Sequence, residues 1–138
     1  MGLDISFYKN PVYRKDKNFS NDPDLFKPIR YCMQITHNCN NCAGHVLLKH
    51  TSPSKELIQT QLTLYDVLWH GEEHEIFQAK QMIPFLEEAL PELMNNYKHY
   101  HQFDAPNGYG DVFTLIRFCI MMLVECKEKP EAYLFYSR

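Results

Sequence analysis

The sequence has no hydrophobic run long enough to cross a membrane as a helix and no strong excess of charge of either sign. Its longest uninterrupted apolar run, residues 118–124, is far shorter than the roughly 20 residues that a membrane-spanning helix needs. The formal net charge is −3, and interspersed acidic and basic residues argue against a nonspecific nucleic-acid binder with a basic face. The first residues lack the apolar segment of a secretion signal. We therefore expect no membrane partner and a cytoplasmic location.

The number of cysteines is odd, which excludes a framework in which every cysteine is paired within the chain. Five cysteines cannot all pair within one chain, so we expect free thiols in a reducing compartment. Apolar residues make up 45% of the sequence and charged residues 22%, which is the balance of a globular protein rather than a disordered one. With 138 residues, the chain is long enough to bury one core, and we expect a single domain over residues 1–138.

Three segments show the alternating apolar pattern of half-buried strands. They lie at residues 3–7, 29–36 and 132–136. Helical patterns, with apolar residues spaced by three and four positions, lie between the second and third strands at residues 40–49, 54–68, 72–97 and 111–127. The sequence therefore predicts an α+β fold, in which a small sheet of about three strands, from both termini and residues 29–36, is covered by three to five helices.

Four further residues set the predicted helix boundaries. Gly71 fits the left-handed residue that ends the second helix. Pro84 removes a backbone donor and should kink or split the third helix, and Pro91 is expected to do the same. Residues 98–110 are predicted to form a loop, and Asp111 is expected to cap the last helix.

The densest group of metal-ligand side chains directly follows the second strand. The donors suited to Zn²⁺ are His37, Cys39, Cys42 and His45. Their spacing is tighter than in sites built from two separated ligand pairs, so a complete zinc site would need a very tight loop or a further ligand such as Cys119. Cys39 and Cys42 also form a Cys-x-x-Cys pair that could carry redox chemistry at a helix N-terminus. The alternative is a helix-capping loop with buried structural thiols.

A second candidate site joins two loops. Its residues are Thr36, His37 and Asn38, where the second strand ends, and Asn107, Gly108, Tyr109 and Gly110, which lead into the last helix. Free N–H groups at a helix N-terminus attract anions. If the two loops lie together, they would form a polar cleft that binds a nucleotide-like ligand or a protein. The alternative is a plain Asn-Gly turn beside a capped strand end.

Residues 70–74 match the His-x-x-Glu-His pattern of some zinc hydrolases. On one helix, His70 and His74 would share a face and could bind zinc, with Glu73 as the general base. Because Gly71 is expected to end a helix, the alternative is a junction between two helices. A zinc- or histidine-dependent hydrolase that uses His37, His70 or His74 is therefore the enzymatic alternative.

Four motifs are shared with one group of proteins. They are Ile-Thr-His-Asn at 35–38, Leu-Trp-His-Gly-Glu-Glu at 68–73, Pro-Asn-Gly-Tyr-Gly at 106–110 and Glu-Cys-Lys-Glu-Lys-Pro-Glu-Ala at 125–132. Over roughly residues 30–137, the chain resembles a family of small uncharacterised proteins common in bacteriophages, prophages and bacterial genomes. It departs from the family at Tyr109, where tryptophan is usual, and at Cys39 and Cys42, which are not typical.

The resemblance implies a phage-encoded accessory protein in the cytoplasm of a bacterial host, and it brings no enzymatic activity with it. Such a protein would bind a host protein or a small ligand and inhibit an immune pathway. We expect no catalysis and no cofactor other than zinc at the four residues named above. Binding is expected at residues 36–38 and 107–110, and the broad apolar coverage of the last helix also allows a homo-oligomer.

Overall fold

A computed structural model of the protein describes residues 2–11, 28–50 and 61–138. Its sheet has three antiparallel strands, β1 Gly2–Tyr8, β2 Pro28–Thr36 and β3 Tyr133–Ser137, in the order β2–β1–β3. The N-terminal strand is central because it pairs on both sides, with Leu3 opposite Ile35 and Ile5 opposite Tyr136. A single bridge between Gln78 and Tyr133 extends the sheet beyond β3. The predicted α+β class and the three strands are confirmed.

In the described part of the chain, five helices and two 3-10 turns follow the second strand. The helices are α1 Asn40–Gly44, α2 Leu64–Trp69, α3 Ala79–Asn95, α4 Tyr97–His101 and α5 Val112–Glu128, and the 3-10 turns are His37–Cys39 and Gly71–His74. The long helices α3 and α5 pack against each other. Their buried faces share one core with the alternating buried residues of the strands. None of the helices in the described part of the chain is long and apolar enough to cross a membrane.

Helix α2 begins later than its apolar pattern predicts. Thr63 is extended because this segment pairs with residues 46–48 through a bridge to Leu47. Leu48 N donates to Leu62 O at 2.9 Å, and Leu64 N donates to Val46 O at 3.0 Å. Thr63 then caps the helix through reciprocal hydrogen bonds with Asp66, a capping box. The same pairing ends α1 at Gly44 instead of residue 49. The predicted start at residue 54 lies outside the described residues.

Helix α3 also begins later than predicted, because residues 71–74 form a separate 3-10 turn and Gln78 caps α3. Both Pro84 and Pro91 lie inside this one helix, so neither proline splits it, and a kink at either position stays a prediction. The apolar stripe of α3 is buried along its whole length, and this packing outweighs the hydrogen bonds that proline removes. Part of the predicted loop at 98–110 is helical, because α4 buries Tyr100 against the core.

Candidate functional site

The two loops of the second predicted site lie against each other. We call residues 36–38 and 107–110 the two-loop edge. Asn107 Nδ2 donates a hydrogen bond to Asn38 Oδ1 at 3.2 Å. Gly110 approaches Thr36 so closely that an added Cβ would overlap the Thr36 methyl group and lie 3.2 Å from Cys39 Sγ. With a φ of 91° at Gly110, both the backbone conformation and the contact require glycine.

The turn at residues 107–110 is held by its own hydrogen bonds. Asn107 Oδ1 accepts a hydrogen bond from Tyr109 N at 2.9 Å, so one amide side chain fixes the turn and ties it to the neighbouring loop. Gly108 also has a left-handed conformation, with a φ of 76°. The Tyr109 side chain points away from this framework and is 73% exposed. The arrangement is therefore a braced turn that presents one aromatic ring to solvent.

The N-terminus of α5, predicted to attract an anion, is occupied by two carboxylates of the chain. Asp104 Oδ1 accepts from Val112 N at 3.0 Å, and Asp111 Oδ1 accepts from Thr114 N at 2.9 Å. The hydrogen bond from Thr114 N holds the pKa of Asp111 below its ordinary value. Two negative charges at this helix end disfavour a phosphate there. Sequence reasoning missed Asp104, because a bond across eight residues has no local pattern.

Cys39 and Cys42 point into the protein and are each 2% exposed. Cys39 Sγ donates to Asp111 O, and Cys42 Sγ donates to Tyr100 O, each at 3.7 Å. Burial raises the pKa of Cys39 to about 11 and that of Cys42 to about 12. At neutral pH both thiols are therefore protonated and poor nucleophiles. They fasten α1 and the preceding turn to the segment before α5, as the structural-thiol alternative predicted.

The two histidines of the predicted zinc site lie on the surface instead. His37 Nε2 lies 3.1 Å from Asn40 Nδ2, and the His45 ring stacks on Phe103 with a centroid separation of 3.7 Å. Among the described residues, no three His, Cys, Asp or Glu side chains are placed to hold one metal ion. Zinc binding by His37, Cys39, Cys42 and His45 stays a prediction. It would require the buried thiols to turn outward.

The His-x-x-Glu-His segment does not form one helix. Helix α2 ends at Trp69, and a 3-10 turn begins at Gly71, as the junction alternative predicted. His70 Nε2 lies 3.1 Å from the Tyr65 hydroxyl, and His70 Nδ1 lies 3.3 Å from Glu73 Oε2. The His70 ring is thus fixed by a hydrogen bond through Nε2, whereas Nδ1 makes no hydrogen bond within the described part of the chain. This arrangement favours a structural role for the imidazole.

Gly71 is needed for a different reason from the one predicted. It has no positive φ; the left-handed residue of this junction is Glu75, with a φ of 61°. Gly71 is buried, and a Cβ placed on it would overlap the phenol ring of Tyr136. The Tyr136 hydroxyl donates to Ile76 O at 2.8 Å. The absence of a side chain at Gly71 therefore lets β3 close over the junction.

Comparison with known proteins adds no assignment to this geometry. The chain matches no family model, no curated protein and no solved structure. The resemblance to phage and bacterial proteins therefore stays an expectation, and the function has to be argued from the site.

Proposed function

We propose that this protein acts by binding another protein through the two-loop edge, with Tyr109 as the anchoring side chain. The proposal rests on the 73% exposure of Tyr109. The side chain of Asn107 holds this turn by one hydrogen bond from Tyr109 N and one to Asn38 in the neighbouring loop. Exposed aromatic side chains are frequent energetic centres of protein interfaces. A rigid turn loses little conformational entropy when a partner binds, which raises the affinity that one anchor provides.

Two further aromatic rings support a protein partner. Tyr97, at the start of α4, and Phe113, in the first turn of α5, pack with ring centroids 5.5 Å apart. Both side chains are exposed. Phe113 is four positions after Tyr109 in the sequence, so this pair of rings directly follows the two-loop edge along the chain. Clustered exposed apolar side chains mark interaction surfaces more often than isolated ones do.

The geometry favours a protein over the nucleotide-like ligand of the sequence prediction. The carboxylates of Asp104 and Asp111 already accept hydrogen bonds from the N-terminal amides of α5. A phosphate would have to displace them or lie beside their negative charge. The contact between Gly110 and Thr36 also fills the space between the two loops at that point. A protein surface, by contrast, can engage the protruding Tyr109 without entering a cleft.

The family resemblance supplies the biological part of the proposal. It would make the partner a protein of a bacterial host, and binding would inhibit that protein, with a component of an immune pathway as the first candidate. Inhibition by binding needs no catalytic group.

The test is affinity capture from a bacterial lysate with three immobilised proteins: the native chain, Tyr109→Ala and Phe77→Ala. Phe77 is the matched control because it is an exposed aromatic residue beside β3, away from the two-loop edge in the fold. We expect one protein to be retained by the native chain and by Phe77→Ala. Its affinity for Tyr109→Ala, measured by calorimetry with the purified partner, should fall at least about tenfold.

Equal capture by all three proteins would show that Tyr109 is not part of the interface. Mass spectrometry of small molecules released from the purified native chain on heating is the complementary measurement. A stoichiometric nucleotide released there, without a captured protein, would replace the proposed partner by a small ligand.

A further inference from the structure

Helix α5 is apolar on two opposite faces, and only one of them is covered. Leu115, Cys119 and Met122 face the core and are fully buried. On the other side, Ile120, Met121 and Val124 are 43%, 44% and 50% exposed. We call these three residues the α5 patch. Contiguous exposed apolar side chains on a helix are typical of an interaction surface.

Opposite charges flank the α5 patch along the helix. Arg117 lies one turn before Ile120, and Glu128 lies one turn after Val124. At 100° per residue, both lie on the same side of the helix as the patch. Arg117 is exposed and makes no ion pair within the part of the chain that the structure describes. The Glu128 side chain is 62% exposed, and its carboxylate is 3.8 Å from Lys129 Nζ.

We propose that the α5 patch binds a second copy of this chain, with the two α5 helices antiparallel about a two-fold axis. In that arrangement Met121 of each copy packs beside Val124 of the other. Arg117 is then level with Glu128 of the second copy, because Arg117 lies four residues before Met121 and Glu128 lies four residues after Val124. The two-fold axis produces this ion pair twice, once at each end of the apolar contact.

The charge pattern selects this occupant and this orientation. A parallel pair of helices would place Arg117 against Arg117, which is repulsive. The antiparallel pair brings Arg117 to Glu128 and leaves the apolar residues in the middle. Lys127, on the same side of α5, already lies 3.7 Å from the carboxylate of Glu87. Exposed ion pairs add little affinity, but they fix orientation and disfavour wrong pairings. The surface is therefore complementary to itself, without requiring any other protein.

The experiment is a charge reversal measured by sedimentation velocity and light scattering from about 1 to 300 µM protein. For the native chain, the mass should rise with concentration from 16.4 kDa toward twice that value. Arg117→Glu and Glu128→Lys should each weaken self-association at least about tenfold, because like charges then face each other. The double variant, Arg117→Glu with Glu128→Lys, should restore it.

Two controls keep the result specific. Lys80→Glu makes the same change of charge as Arg117→Glu at an exposed position in the first turn of α3. It also removes an exposed ion pair with Glu131, and it should dimerise like the native chain. Circular dichroism should show that every variant is folded.

A native chain that stays monomeric over the whole concentration range overturns the proposal. The proposal is also overturned if Arg117→Glu and Glu128→Lys dimerise like the native chain, or if the double variant does not dimerise. Tyr109→Ala should dimerise normally, so this test is independent of the partner-binding proposal.

Discussion

Two turns of this protein use a glycine for a close contact, but one turn is buried against the core and the other presents a side chain to solvent. At Gly71, the glycine is buried under the ring of Tyr136, and the junction closes against the last strand. At Gly110, the glycine touches Thr36, and the turn before it points Tyr109 into solvent. Both turns place a tyrosine beside a tight backbone approach. In the first the tyrosine completes the core, and in the second it is free to meet a partner.

The difference teaches that one kind of sequence signal serves stability in one place and recognition in another. A substitution at the Gly71 junction should act on the free energy of unfolding. A substitution of the exposed ring at the two-loop edge should act on binding and leave stability nearly unchanged. The following variants test that division, from the largest expected effect to the smallest.

Gly71→Ala should lower the free energy of unfolding by about 3 kcal/mol, because the new methyl group overlaps a buried aromatic ring. Urea unfolding followed by circular dichroism measures the change. Gly44→Ala is the matched control: an added Cβ there has its nearest neighbour at 4.0 Å, and alanine favours a helix. Equal stability of the two variants would contradict the close contact at Gly71.

Gly110→Ala should lower the free energy of unfolding by about 2 kcal/mol, since it adds an overlap with Thr36 to an unfavourable left-handed φ. Gly108→Ala separates the two causes. Gly108 also has a positive φ, but an added Cβ meets nothing within 4 Å, so about 1 kcal/mol is expected. The same urea measurement applies. If Gly108→Ala were as destabilising as Gly110→Ala, the contact between the loops would contribute nothing.

Tyr136→Phe should cost about 1 kcal/mol, because the buried carbonyl of Ile76 loses its hydrogen-bond donor while the ring remains. Tyr109→Phe makes the same chemical change on an exposed ring and should leave stability unchanged. Thermal or urea unfolding of the pair measures the difference directly. Similar changes in stability at the two positions would contradict the assignment of Tyr136 to the core and Tyr109 to the surface.

Asp111→Asn should change how stability depends on pH. Hydrogen bonds from the start of α5 lower the pKa of Asp111 in the folded protein, so its charge stabilises the fold above the unfolded pKa of about 3.9. That contribution is lost as the pH falls through the folded value. We expect the native chain to be more stable than the variant by about 0.5 kcal/mol at pH 7. Urea unfolding at neutral and strongly acidic pH should show the difference disappearing in acid.

Much of the fold could be predicted because its signals are local. The alternation at Leu3, Ile5 and Phe7 predicts a strand with one buried face, and these side chains are fully buried. The side chain of Asp111 caps α5, as predicted. The pairing of residues 46–48 with 62–64 was not predicted. It decides where α1 ends and where α2 begins, and neither segment alone carries a pattern that names its partner.

The candidate site divides in the same way. The sequence by itself determined which residues carry hydrogen-bonding and ligand atoms, that Asn107–Gly110 forms a turn, and that a helix begins directly after it. Only the tertiary structure decided that Cys39 and Cys42 face inward. It also decided that Asp104 accepts a hydrogen bond from the first turn of α5 and that Gly71 leaves room for the Tyr136 ring. Periodicity and capping act between residues a few positions apart, whereas burial and close contact depend on segments that meet only after the chain has folded.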